Sequence, residues 1–163
     1  MQSATSATPA VAEEPEVVDL GVLKEVIGFR IRRLQNHLTR GFSERVARKE
    51  VRSGLFGALG LISANPGISQ TTLSREIGFD KATVVALLDT LESLGWAERQ
   101  RSMVDRRRHS LVATAAGQRA LDELLQATLA NEANIYQALS GKERADLFTL
   151  LDKLDGACVE PAA

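Results

Sequence analysis

Hydrophobic positions recur at helical spacing over most of the chain and give way to an extended pattern in one short part. Leu20, Leu23, Ile27, Ile31, Leu34 and Leu38 repeat every three or four residues, which predicts a long amphipathic helix opening near Asp19. Phe42 and Val46 either carry it past Gly41 or belong to a separate turn. Residues 53–63 read as a second, more apolar helix with Leu55, Phe56, Leu59 and Ile62 inward, in which Gly54, Gly57 and Gly60 either weaken the helix or permit close packing. Asn65-Pro66-Gly67 signals a loop. Beyond it, Leu73 and Ile77 share one face of a short helix that Ser69 can cap, and Gly78 suits a tight turn. Asp80 caps the next helix, which runs to about Leu94 with Val84, Leu87, Leu88, Leu91 and Leu94 as one buried stripe. Gly95 ends it, Trp96 begins an extended stretch, and segments 97–101 and 107–113 flank a polar tip, 102–106, as a hairpin.

A long helix follows, from residue 115 to about 139, with Leu121, Leu124, Leu125, Leu129, Ile135 and Tyr136 on its apolar side. Ser140 and Glu143 have capping-box spacing and open a last helix carrying Leu147, Phe148, Leu151 and Leu154. The order is two helices, a helix–turn–helix with a hairpin, then two helices: a mostly α fold with some β, without internal repeat. Residues 1–18, rich in Ser, Ala, Thr, Pro and Glu, read as a mobile tail and 157–163 as a second one, leaving 19–156 as a single domain. Within it the winged helix occupies about 53–113, and helices at about 19–48 and 115–156 flank it.

Composition narrows the class. A chain of 163 residues with 4% aromatics suits one core of packed helices. The single cysteine, Cys158, allows no internal disulfide, fits a reducing compartment and has no basic neighbour or resolving thiol to make it a redox sensor. No run reaches the roughly 18 apolar residues of a membrane span, and the acidic start is unlike a signal or transit peptide, so a cytoplasmic protein is expected, with no membrane partner. His37 and His109 lack ligand-spaced partners, so no metal is expected, nor any cofactor. There is no Gly-rich phosphate loop, His/Cys cluster or Ser/His/Asp set, which argues against an enzyme.

The net charge of −1 conceals segregation. Residues 1–20 hold four acids and no base, whereas 30–52 hold seven Arg and one Lys against two Glu. Residues 97–109 hold five Arg against Glu98 and Asp105, and 114–163 hold eight acids against four bases. Double-stranded DNA responds to the local field rather than the total, so a helix pair followed by a basic hairpin points to a duplex. Arg106, Arg107 and Arg108 sit beside the hairpin tip, where guanidinium groups can enter a narrow minor groove or grip phosphates.

The run Val104-Asp105-Arg106-Arg107-Arg108-His109-Ser110-Leu111-Val112-Ala113-Thr114-Ala115-Ala116-Gly117 resembles the wing signature of the MarR family of transcriptional regulators. Leu91-Glu92-Ser93-Leu94-Gly95-Trp96-Ala97-Glu98-Arg99 is similar to that family's passage from recognition helix into wing. The likeness extends from about Leu20 to Leu154, and its specific part is 68–117. It implies a winged helix-turn-helix with a two-stranded wing, terminal helices that intertwine in a homodimer, and two reading heads addressing a pseudo-palindromic operator. In the family's wing motif the Asp and the Arg two positions on correspond to Asp105 and Arg107. Ser69, Gln70, Thr71 and Thr72 begin the first helix of the pair, where exposed N–H groups favour a phosphate.

The recognition helix departs from the pattern. Where members often carry a polar residue followed by Arg, this chain has Val85-Ala86, and a second frequent Arg corresponds to Thr90. The bidentate Arg–guanine contact is therefore unavailable from these positions. The face offers Lys81, Ala82, Val85, Ala86 and Thr90 instead, and an A·T-leaning site is expected, read through thymine methyls, backbone contacts and groove shape. Two alternatives remain for Val85 and Ala86: packing within the chain, or contact with a protein, which would make the molecule a helical adaptor.

Arg30, Arg33, His37 and Arg40 form a second stripe beside the apolar one on the first helix. A cationic ridge along a hydrophobic wall suits a small anionic effector, whereas the plainer reading is a solvated basic face. The family resemblance implies aromatic acids and their coenzyme A thioesters as the effector class, and repression relieved by ligand as the default.

Overall fold

The structure, a computed structural model, describes residues 18–45, 53–101 and 109–158. Backbone contacts divide the chain into two units, residues 1–34 and 35–163.

The first unit holds a 3-10 turn, Gly21–Glu25, and the opening of helix α1, Ile27–Arg45. The sequence predicts one unbroken helix from Asp19; the structure breaks it at Val26, which is extended (φ −92°, ψ 106°). Gly21 takes φ +51°, outside the helical range. The Asp19 carboxylate therefore receives the Gly21 N–H at 3.1 Å and the Lys24 ammonium at 2.6 Å, closing a tight turn instead of capping a helix. Val18, Val22, Leu23, Val26, Ile27, Ile31 and Leu34 are all exposed.

The second unit contains the core. Helix α1 continues through Gly41, and its Phe42 is buried. Helix α2, Ser53–Ala64, is the central element, with Leu55, Ala58, Leu59 and Ile62 almost inaccessible. It packs against α3, Gln70–Ile77; α4, Lys81–Ser93; and α5, Ala115–Ala138. Those helices bury Leu73, then Val84, Leu88 and Leu91, then Ala120 and Leu124 against it. The apolar character of α2 on nearly every side follows from this position, since a helix surrounded by others has no solvent face to keep polar. Its glycines sit at helix contacts: a Cβ on Gly57 would meet Ile77 at 3.6 Å and one on Gly60 would meet Leu121 at 3.8 Å.

The hairpin is present as β2, Ala97–Arg101, antiparallel to β3, His109–Ala113, with Arg99 opposite Leu111. A third strand, the two-residue β1, Ile68–Ser69, pairs with the other edge of β3, so the sheet order is β1-β3-β2. Leu111, on the middle strand, is buried, and its carbonyl accepts the Gly67 N–H at 2.8 Å.

Helix α5 begins at a crowded joint. Thr114 caps it by accepting the Gly117 N–H at 3.0 Å, donates its hydroxyl to the Gly95 carbonyl at 2.6 Å, and gives its own N–H to the Trp96 carbonyl at 3.0 Å. Gly117 lies directly against that Trp96 carbonyl, where a Cβ would overlap the oxygen. The Thr-Ala-Ala-Gly end of the wing motif thus has a packing reason: it docks α5 onto the end of the recognition unit. The Ser140/Glu143 box is formed as spaced, and α6, Gly141–Cys158, follows. Helix α6 buries none of its residues in this chain, leaving Leu147, Phe148, Leu150, Leu151 and Leu154 exposed.

Candidate nucleic-acid interface

The helix pair is set by local backbone chemistry. Ser69 Oγ accepts the Thr72 N–H at 3.1 Å and lies 2.9 Å from the Thr72 hydroxyl, so the α3 cap engages both side chains. Gln70 and Thr71 follow on the first turn, Thr71 exposed. At the other end Gly78 takes the left-handed conformation (φ 73°, ψ 20°) and donates to the Ser74 carbonyl at 3.1 Å. The Ser74 hydroxyl then bonds the Phe79 carbonyl at 2.7 Å, fixing the turn between α3 and α4.

Asp80 opens α4, accepting the Thr83 N–H at 3.0 Å and the Thr83 hydroxyl at 2.6 Å. These bonds, the hydroxyl's first, hold its carboxyl below the ordinary carboxylate range. A depressed folded value means that the cap's contribution is complete above the ordinary carboxylate pKa and is lost as pH falls through the lower folded value. Asp80→Ala is expected to lower the melting temperature at neutral pH, and the gap to the unmodified protein should narrow on acidification through that window. A gap constant with pH would mean that the carboxylate is not the capping group.

The outward face of α4 carries Lys81, Ala82, Val85 and Ala86, all exposed, and Thr90, half-buried one turn further on. Val85 is 39% exposed and Ala86 is exposed as well, so neither belongs to the buried core. All three hydroxyls of α4 are spent locally: Thr83 on Asp80, Thr90 on the Ala86 carbonyl at 2.8 Å, and Ser93 on the Thr90 carbonyl at 2.8 Å. The face is therefore methyl-rich with a lysine at its start, and Thr90 has less to offer a base than its residue type suggests.

On the C-terminal half of α4, Asp89 and Glu92 meet Arg99 of β2. The Arg99 guanidinium donates to Asp89 Oδ1 at 2.8 Å and to Glu92 Oε2, and its backbone N–H donates to Glu92 Oε1 at 3.0 Å. Counting charge by segment credits Arg99 to the basic hairpin, yet the fold spends it on two acids of the preceding helix. An acid pair spaced i, i+3 shortly before a strand arginine was the available signal.

Asp105, Arg106, Arg107 and Arg108 lie outside the described residues. Of the second stripe, Arg30 and Arg33 belong to the first unit and His37 and Arg40 to the second; all four are exposed along α1. The Arg30 side chain bonds the Lys24 carbonyl. Among the described residues no group of three or more metal-binding side chains converges, and no helix is long and apolar enough to cross a membrane.

A family model described as MarR family matches residues 56–108, the stretch from α2 into the hairpin. The chain is also 35% identical over 147 residues to a protein of Thauera aromatica assigned to transcriptional regulation of the hcr operon, covering 90% of this chain and 88% of that one. The chain belongs to the MarR family. Among solved structures, the transcriptional repressor CouR bound to a 23-mer DNA duplex is 30% identical, with a TM-score of 0.74 over 86% of this chain and 99% of that one. CouR bound to p-coumaroyl-CoA is 28% identical, with a TM-score of 0.71 over 85% of this chain and 98% of that one. This MarR-family chain is thus a winged-helix transcriptional regulator, of a kind that generally binds DNA and carries no enzymatic activity.

Proposed function

We infer that the protein is a homodimeric repressor that grips a pseudo-palindromic operator and is released by a small anionic effector. The observation that carries this reading is the outward face of α4, where Lys81, Ala82, Val85 and Ala86 stay exposed on a helix whose other side is fully packed. A helix presented in this way addresses something outside its own chain. Thr90 borders that face. Ser69, Gln70, Thr71 and Thr72 at the start of α3 are the proposed phosphate contacts, and Arg106, Arg107 and Arg108, with Asp105 shaping the hairpin, the proposed wing contacts. Residues 19–156 act as one functional domain, with the winged helix at about 53–113 and the flanking helices serving dimerisation. The exposed apolar residues of α5 and α6 are the proposed seam with a second copy, which would set the two heads about one helical turn apart, roughly 10 bp.

For the effector, the p-coumaroyl-CoA held by the related CouR supports an aromatic acid or its coenzyme A thioester. The exposed cations of α1, Arg30, Arg33, His37 and Arg40, are the proposed source of anion contacts. Release follows by linkage: an effector that favours a conformer unable to span the operator weakens DNA binding by the same factor that DNA weakens effector binding.

The test is fluorescence anisotropy on duplexes from the gene's own promoter and on random duplex, over a series of salt concentrations. Binding to both at low salt is expected, with affinity falling steeply as salt rises, by about 0.9 log units per log unit of salt for each phosphate neutralised. Addition of p-coumaroyl-CoA or related thioesters should release the promoter duplex, and Arg33→Ala and Arg40→Ala, tested separately, should each require more ligand. Little binding and no salt dependence would replace this reading with that of a protein adaptor, for which the apolar Val85 face would be the docking surface.

A further inference from the structure

Strand β2 lies at the edge of the sheet, with β3 on one side and, among the described residues, no strand on the other. An edge strand leaves backbone amides unpaired, and here a side chain of the recognition helix takes one of them. Glu92 Oε1 accepts the Arg99 N–H at 3.0 Å, while its other oxygen and the Asp89 carboxylate hold the two ends of the same residue's guanidinium. The Arg99 and Glu92 side chains are 24% and 33% exposed, so theirs is not a loose surface pair, and Asp89, 61% exposed, closes the clasp from the solvent side. Three hydrogen bonds, two of them from a planar fork that fixes angle as well as distance, fasten the strand entering the arginine-rich hairpin to the helix carrying Val85 and Ala86.

We propose that Arg99 is a positioning residue for DNA discrimination: by clasping Asp89 and Glu92 it fixes the hairpin's root relative to α4, so that both meet one duplex in a single register. The inference rests on the DNA-reading function above. Non-specific attraction comes from the phosphates that nearby Lys and Arg side chains neutralise and does not require the hairpin to be held in one pose. Preference for one sequence needs the helix and the hairpin to be satisfied together, which a loosened root prevents. The loss should therefore fall on preference more than on binding to arbitrary DNA.

The experiment begins with the full chain and a random duplex pool, from which the unmodified protein enriches a preferred duplex. Affinity for that duplex and for a scrambled one is then measured for Arg99→Gln, Arg99→Lys and Glu92→Gln, with melting temperature and helical content recorded for each. Arg99→Gln is expected to lower the preferred-to-scrambled ratio about tenfold, comparable with losing one base-pair contact, while scrambled-duplex affinity and its salt slope change by no more than one charge requires. Arg99→Lys should lose an intermediate share, because one ammonium cannot serve both carboxylates in fixed geometry. Glu92→Gln should lose less than Arg99→Gln, since its carbonyl can still accept the Arg99 N–H.

An unchanged ratio in Arg99→Gln overturns the proposal, as does a lowered melting temperature with preference intact, which would make the clasp merely structural. Full recovery on adding Asp89→Asn to Arg99→Gln also overturns it, because Arg99 would then be masking a repulsive carboxylate instead of placing a strand. If the unmodified protein enriches no duplex at all, the DNA-reading function itself falls. That result differs from all of the others.

Discussion

Gly117→Ala should destabilise the protein by about 3 kcal/mol, the upper part of the range for overpacking a tight site. In a chain of this size that corresponds to a fall of roughly 6–12 °C in melting temperature. The added Cβ would overlap the Trp96 carbonyl oxygen and press on the Trp96 backbone, not on the end of a flexible side chain. Trp96 has little room to give way: it is buried, its N–H is bonded to the Leu91 carbonyl at 2.8 Å, and its carbonyl holds the Thr114 N–H. Relief must come from shifting α5 away from the recognition unit, at the joint that Thr114 ties with three hydrogen bonds. Gly57→Ala provides the control. It also removes a glycine from a helix, but its Cβ would meet Ile77 at an ordinary 3.6 Å, so lower unfolded-chain entropy should leave it neutral or stabilised by up to about 1 kcal/mol. Urea and thermal melts at one fixed protein concentration would compare the two. Equal effects would show that helix propensity, not the Trp96 contact, decides both.

The same joint shows which parts of the fold were legible in the sequence. The caps at Ser69 and Asp80, the left-handed Gly78 and the Ser140/Glu143 box involve partners at most four residues apart, so spacing alone carries them. Thr114 and Gly117 stood in the wing motif, but neither the cap nor its docking was read there, and the Trp96 carbonyl they meet lies eighteen positions before Thr114. Strand β1 was not legible, because two residues display no alternation; it exists through the bonding of Gly67 and Ile68 to a strand more than forty residues later. The clasp of Arg99 by Asp89 and Glu92 went unread for another reason: the i, i+3 acid pair before a strand arginine stands in the sequence, but counting charge by segment cannot see pairing across a turn. The break at Val26 went unread because the apolar period runs straight through it, and neither the extended Val26 nor the positive φ of Gly21 shows in a hydrophobic pattern. For the candidate interface, Lys81, Ala82, Val85 and Ala86 are exposed, Thr90 is half-buried, and helical spacing could not say that the Thr90 hydroxyl is already engaged.

Leu151→Glu should convert the proposed dimer into a monomer and weaken operator binding at least about a hundredfold, the scale on which linking two sites raises affinity over one. Leu151 is 42% exposed on α6, within the patch formed with Leu147, Phe148, Leu150 and Leu154. Isolated helices of this length are marginal in water unless an apolar face is packed, and α6 buries none of its residues in its own chain. Five exposed large apolar side chains on one helix are what an interface with another chain would cover. In a two-fold arrangement each substitution appears twice near the same seam, so two carboxylates would have to be desolvated together. The core around α2 does not involve Leu151, and the hairpin and α4 should keep their fold. Sedimentation would give the mass, and anisotropy on an operator and on a half-site would give the binding. A single head should bind the half-site as before, lose most of its grip on the full operator, and retain the same salt slope per head. If the variant stays dimeric with operator affinity intact, the seam lies elsewhere. If the unmodified protein is itself a monomer that binds the full operator tightly, the paired-head reading fails, and α6 must be covered by some other partner.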